Sequence, residues 1–265
     1  MKSLESEILE AREERIEPPK AMAELYNLLY QLGSAWRKEN AYIVNEGQKN
    51  ERTVTPQPNV STVAKVLKKH CYFTFIGEGA ISDVSKLYIY HLDLGYYVSS
   101  DDIFRKLLLK YDNRLTSHRF FNELIAYIRT ETKIQPPLSD YRYIPVANGV
   151  YNIKTKQLEK FSPKFIITSK IKTSCNPFAK KPTLGGWFDF DKWLDTLTCN
   201  DKELVTLLWQ VMNEAINPNR TRKKMVLLVG DGNNGKGTFQ ALLENLIGRE
   251  NISNLKPDQF GKEFY

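Results

Sequence analysis

Cysteine and histidine are scarce in this chain, three of each in 265 residues, and neither set is arranged as a site. Cys71, Cys175 and Cys199 are odd in number and lack metal-type spacing, and His70, His91 and His118 form no cluster. A disulfide framework and a zinc centre are therefore not expected, and a reduced intracellular setting is. No apolar run approaches the ~20 residues of a membrane-spanning helix, and the opening Met-Lys-Ser-Leu-Glu-Ser-Glu does not read as a signal peptide. Internal repeats and low-complexity tracts are absent as well. What remains is a soluble chain with 42% hydrophobic residues, enough for a core in one or two domains.

Acidic residues are nearly missing from one stretch. Between residues 152 and 182 Glu159 alone faces eight lysines, a surplus equal to the +7 of the whole chain, so the remainder is neutral. Phe161, Phe165 and Phe178 lie among those lysines. Interleaved cations and aromatics can grip a nucleic-acid backbone and stack on bases, although a solvated, edge-protected strand has the same composition. Lys154, Lys156, Lys170 and Lys172 are the candidate DNA contacts. Arg220, Arg222, Lys223 and Lys224 make a second basic cluster.

That cluster precedes the most chemically specific segment. Met225 to Val229 is a continuous apolar run, as expected of a strand covered on both faces, and it enters Gly230-Asp231-Gly232-Asn233-Asn234-Gly235-Lys236-Gly237-Thr238. The glycines and asparagines tolerate left-handed backbone that lets N–H groups converge on an anion. The helix that follows offers its positive dipole end, and Lys236 stands where a cation reaches β and γ phosphates. These nine residues are the candidate nucleotide-binding set for ATP, with Lys236 the candidate catalytic cation. Gly237 occupies the place of the usual hydroxyl residue, so Mg²⁺ falls to Thr238 or is held through water. A bare glycine-rich turn is the bland alternative. Only 27 residues follow Thr238, with no apolar strand ending in Asp or Glu to orient metal and water. An incomplete motor with little or no hydrolysis of its own is therefore expected.

The rest reads as an α+β N-terminal module followed by the start of an α/β P-loop NTPase domain. Residues 1–56 form a helical leader, charged from Ser3 to Glu17 and broken at Pro18-Pro19, and a polar linker over 45–59 leads out of it. Residues 57–140 form a small α+β module: a helix from Ser61 to Lys69, strands at Tyr72–Ile76, Lys86–His91 and Tyr96–Val98, and helices opened by Ser100 and by Thr116 or Ser117. Residues 141–183 form a lysine-rich β segment with a turn at Asn148-Gly149. Residues 184–224 form a helical pair with a capping box from Asn200 to Glu203, and 225–265 the truncated motor. Asp189 and Asp191 could hold two metal ions, but they fit a helix start with acids in its first turn better.

Taken together, the Tyr88–Tyr97 hairpin with its following helices, the Asn148-Gly149 hairpin and basic tract, the Trp187–Asn217 helical pair and the Gly230–Thr238 loop resemble the primase-helicase replication proteins of phages, plasmids and large DNA viruses that carry a superfamily 3 motor. The resemblance spans roughly residues 60–265. It implies an ATP- and Mg²⁺-dependent DNA helicase, hexameric when complete, working on DNA in the cytoplasm of a bacterial host. Two rivals remain. A nucleotide kinase shares Gly-Lys-Gly-Thr but needs nucleoside-binding and lid segments after the loop, and a non-catalytic DNA-binding initiator fragment with a vestigial loop needs only the upstream region.

Overall fold

Leu25, Leu28, Leu29 and Leu32 recur at the three-to-four spacing of one helix face, and all four are buried in α1 (Met22–Glu39). The computed structural model describes residues 19–78, 85–181, 184–217, 219 and 224–255. The charged leader from Ser3 to Glu17 and the basic residues Arg220, Arg222 and Lys223 lie outside the described residues. The chain divides into two units, Met1–Pro136 and Pro137–Tyr265.

In the first unit a four-stranded sheet runs in the order β5-β4-β3-β6, with β3 at Phe73–Ile76, β4 at Leu87–His91, β5 at Tyr96–Val98 and β6 at Ile134–Gln135. β4 and β5 form the expected hairpin, with Tyr90 opposite Tyr97. β6 adds a parallel edge to β3, Phe75 opposite Ile134. The helices are α1, α2 (Val60–His70), α3 (Asp101–Tyr111) and α4 (His118–Glu131). Leu29, Val63, Phe75, Ile89, Leu107 and Leu124 belong to one shared core. Gly33 is required where α1 meets the end of α3, because a Cβ there would lie 1.8 Å from the Tyr111 carbonyl oxygen. Arg37 closes the same contact, donating from Nη1 to that carbonyl at 3.0 Å.

The stretch read as a polar linker departs from expectation. It carries a hairpin, β1 (Tyr42–Val44) against β2 (Arg52–Val54), with Asn45 and Gly47 in left-handed conformations at the turn. Arg114 then ties the chain beyond β2 to the end of α3. Its guanidinium donates to the Thr55 carbonyl at 2.9 Å, to the Pro56 carbonyl at 3.1 Å and to the Asp112 carboxylate at 2.7 Å. The leader helix also packs into the core of the 57–140 module. Asp93, in the β4–β5 turn, accepts the Met22 N–H at 3.0 Å and so caps α1 across the sequence. Ser100 and Ser117 do occupy N-cap positions, but neither side chain accepts a capping bond. α2 is capped instead by Asn59, whose Oδ1 accepts the Thr62 N–H at 2.8 Å.

In the second unit β7 (Tyr143–Val146), β8 (Gly149–Asn152) and β9 (Gln157–Glu159) make an antiparallel meander around the Asn148-Gly149 turn. The lysine tract does not continue as strands beyond Glu159. It is fastened by scattered backbone bonds, Leu138 N–H to the Ile166 carbonyl at 2.8 Å and Ile171 N–H to the Pro145 carbonyl at 3.0 Å, with Phe165, Ile166 and Ile167 buried. The helical pair is α5 (Phe190–Leu197) and α6 (Lys202–Ile216). Asp201 caps α6, not Asn200, because Asn200 turns the chain at φ 64° and leaves the capping position to its neighbour. α7 (Lys236–Ile247) completes the unit.

The expected first strand of a motor is the clearest correction. Residues 224–230 belong to no strand, and Met225, Leu227 and Val229 are 85%, 76% and 82% exposed. A strand covered on both faces needs hydrogen-bonded neighbours on both edges, and no described strand stands beside this segment. Among the described residues no helix is long and apolar enough to cross a membrane.

Candidate nucleotide-binding loop

The loop is held in place from behind. Phe239, one turn into α7, is 1% exposed and packs with Leu194 of α5 and Leu208 and Met212 of α6, while Leu242 and Leu243 cover the edge of that cluster. Leu197 backs the turn itself, since a Cβ on Gly235 would stand 3.3 Å from its Cδ2. The helical pair expected from sequence thus serves as the platform for the loop.

Ahead of α7 the chain winds through left-handed backbone at Gly232 (φ 104°), Asn233 (φ 48°) and Gly235 (φ 84°). A Cβ on Gly230 would lie 2.2 Å from Asn234 Nδ2 and 3.1 Å from Lys236 Nζ, so a larger residue there would have to displace the ends of those two side chains. Gly235 caps α7 without a side-chain bond. The first N–H groups of a helix have no partner within it, so those of Lys236, Gly237 and Thr238 are presented at the dipole's positive end. The Lys236 ammonium folds back into the loop, donating to the Gly230 carbonyl at 2.9 Å and to Asn234 Oδ1 at 2.7 Å. Both acceptors are neutral. Among the described ion pairs no carboxylate partners Lys236.

All nine sequence candidates are therefore brought together in one loop. Asp231, Gly232, Asn233, Asn234, Gly237 and Thr238 are exposed, and Lys236 is half-buried. The residues fit a polyphosphate: unhindered backbone, helix N–H groups and one uncompensated ammonium. For Mg²⁺ they offer the Thr238 hydroxyl, and no group of three or more His, Cys, Asp or Glu among the described residues could hold a metal. An ion carried by bound phosphates could take Thr238 as its protein contact. A cleft of about 220 Å³, lined by Leu197, Leu204, Leu207, Val226, Leu228 and Lys236, opens beside the loop.

The four lysines proposed for DNA are separated. Lys154 and Lys156 sit together on the β8–β9 turn, exposed, where Asn152 Oδ1 accepts the Lys154 N–H at 3.0 Å and Lys156 is left-handed at φ 56°. Lys170 is turned inward, donating to the Ala147 carbonyl at 3.3 Å and lying 4.6 Å from the centre of the Phe161 ring. Burial pushes its pKa below the ordinary lysine value. Lys172 is exposed, but its backbone N–H is bonded to the Ile247 carbonyl at 2.8 Å, and Thr173 Oγ1 donates to the Leu246 carbonyl at 2.8 Å. The basic tract is thus fastened to the end of α7 opposite the phosphate loop.

Asp189 accepts N–H bonds from Asp191 and Lys192 at 2.9 and 3.1 Å and caps α5, while Asp191 pairs with Lys181. Neither carboxylate is arranged as a two-metal site. Trp187 was passed over in the sequence as a mere element boundary, yet it is 81% exposed beside Phe188. Only its solvent exposure distinguishes it, and exposure is not written in residue order.

Residues 22–199 match the sequence model of the family described as D5 N terminal like, well over half of the chain. The match ends ahead of the phosphate loop. No curated protein matches the chain.

Proposed function

The chain belongs to the D5 N terminal like family, which supports a phage primase-helicase replication context, and from that premise we propose that it binds a nucleoside triphosphate through Gly230–Thr238 and contacts DNA. ATP with Mg²⁺ is the expected ligand. The observation that carries this reading is the Lys236 ammonium held by two neutral acceptors, the Gly230 carbonyl and Asn234 Oδ1, at the N-terminus of α7. An incoming phosphate offers Lys236 stronger, charge-assisted bonds than the two it has. Lys236 would then hold β and γ phosphate oxygens, the N–H groups of residues 235–238 would surround them, and Thr238 would face the metal. When bound, the nucleotide and its metal supply the phosphoanhydride chemistry. What this chain contributes is binding and orientation. No carboxylate among the described residues adjoins Lys236 to orient a water, so hydrolysis by this chain alone is expected at background. Assembly with further copies belongs to the same reading.

Thermal unfolding with and without ATP and Mg²⁺ tests it. A ligand at 100 times its Kd stabilises the native state by about 2.7 kcal/mol, and Lys236→Ala should abolish that gain while leaving the ligand-free stability unchanged. No nucleotide-dependent shift in the unaltered protein would favour the rival reading, a DNA-binding fragment with a vestigial loop.

A further inference from the structure

Two aromatic side chains in the second unit are almost entirely in water: Phe178 at 86% exposure and Trp187 at 81%, with Trp209 at 47%. We propose that the surface around Trp187 and Phe178 is a stacking platform for single-stranded nucleic acid, an inference that rests on the reading that the protein works on DNA.

The backbone is shaped to present Trp187. Gly185 and Gly186 are both left-handed, at φ 61° and 75°, and the indole lies so close over Gly185 that a Cβ there would meet its Nε1 at 2.5 Å. The Phe188 ring supports it edge to face, at 6.3 Å between centroids and 86° between planes. A second aromatic group follows at once, Phe190 against Trp209 at 5.7 Å and against Trp193 at 5.6 Å. The ion pair between Lys181 and Asp191 ties the segment that carries Phe178 to the first turn of α5. Phe178 stands three positions before one partner and Trp187 four positions before the other, so chain length alone keeps each within about 15 Å of its own partner.

Chemistry favours a nucleic acid over a protein partner here. Lys180 and Lys192 are exposed on the segments that carry these rings, whereas lysine is depleted in the cores of protein interfaces. Of the acids present, Asp189 is spent on the α5 cap and Asp191 on Lys181. Every base has a π-face, so exposed rings flanked by cations bind single strands with little sequence preference. Duplex DNA keeps its bases stacked on one another and offers such rings nothing. The phenylalanines first suspected from sequence are largely withdrawn, since Phe165 is buried and Phe161 half-buried, which leaves Phe178 to join the unsuspected Trp187.

The test is anisotropy of a labelled oligothymidylate and of a duplex of equal length, on the full chain with no nucleotide present. Phe178→Ala and Trp187→Ala should each weaken single-strand binding by roughly 5- to 150-fold, the range of one lost base stack, while Trp187→Phe retains most of it. Duplex binding should change less than threefold, and Lys236→Ala should leave single-strand binding intact. That last arm separates this platform from the nucleotide reading, because each can fail alone. Both side chains are solvated, so the variants should unfold as the parent does. Single-strand binding unchanged within twofold in the doubly substituted protein would overturn the proposal, as would no single-strand binding by the parent. Concentration-dependent self-association lost in Trp187→Ala, without any oligonucleotide effect, would reassign the surface to a protein partner.

Discussion

Phe75, Ile89, Leu107 and Leu124 of the first unit are 1% exposed or less, whereas Leu227 and Val229, no less apolar, are 76% and 82% exposed in the second. Phe75 and Ile89 lie in strands, the element also expected of Met225–Val229. The first unit's strands find partners in β3, β4, β5 and β6 and are covered by helices from both sides in sequence, α1 and α2 before and α3 and α4 after. The segment before the phosphate loop finds no pairing strand among the described residues, and its side chains stay in water. An apolar run states that a segment should be buried. It does not state against what.

Core truncation should expose this difference most sharply. Leu107→Ala is expected to cost about 2–5 kcal/mol in denaturant unfolding, whereas Leu227→Ala, which removes already solvated atoms, should fall within about 0.5 kcal/mol of the parent. A loss at Leu227 comparable to that at Leu107 would mean that the segment is covered in solution.

The next contrast concerns charge. Burial raises the Asp112 pKa, but the Arg114 side-chain and backbone hydrogen bonds, with the charges of Arg114 and Arg37, outweigh it and leave the carboxyl below its usual range. A depressed carboxylate contributes stability that is present above the unfolded pKa near 3.9 and is lost as pH falls through the lower folded value. Asp112→Asn should therefore cost about 1–3 kcal/mol at neutral pH and almost nothing under strongly acidic conditions. The gap between parent and variant should close below about pH 4. A gap that persists at pH 2 would place the effect in packing.

The smallest effect is expected at Tyr111, whose buried hydroxyl has no hydrogen-bond partner among the described residues. Burial is the main cause that pushes its pKa up to about 12, with the Asp112 charge adding to it. Tyr111→Phe removes an unsatisfied polar atom and keeps the ring, so stability should rise by up to about 1 kcal/mol. A clear loss on thermal unfolding would show that the hydroxyl is satisfied by ordered water.

Much of this was legible in residue order because it depends on neighbours in sequence. Leu25, Leu28, Leu29 and Leu32 declare a helix face, the β4–β5 hairpin follows from its alternation and Gly95, and Gly230–Thr238 requires only local backbone and one lysine. The hairpin inside the supposed linker was missed because Tyr42–Val44 and Arg52–Val54 are short and polar-flanked. The capping of α1 by Asp93 was missed because its partners are 71 positions apart.

By itself the sequence determined the types of its longer elements, the surplus of lysine in 152–182 and the glycine-rich turn with Lys236 at the start of α7, all properties of spacing and side-chain type. Only the tertiary structure decided which lysines face water, that Phe239 rather than the apolar run anchors the loop, and that Met225–Val229 pairs with no described strand while Trp187 and Phe178 stand in solvent. The physical reason is common to all three. Burial and pairing depend on what else arrives at the same place, and contacts between distant residues leave no local periodicity to read.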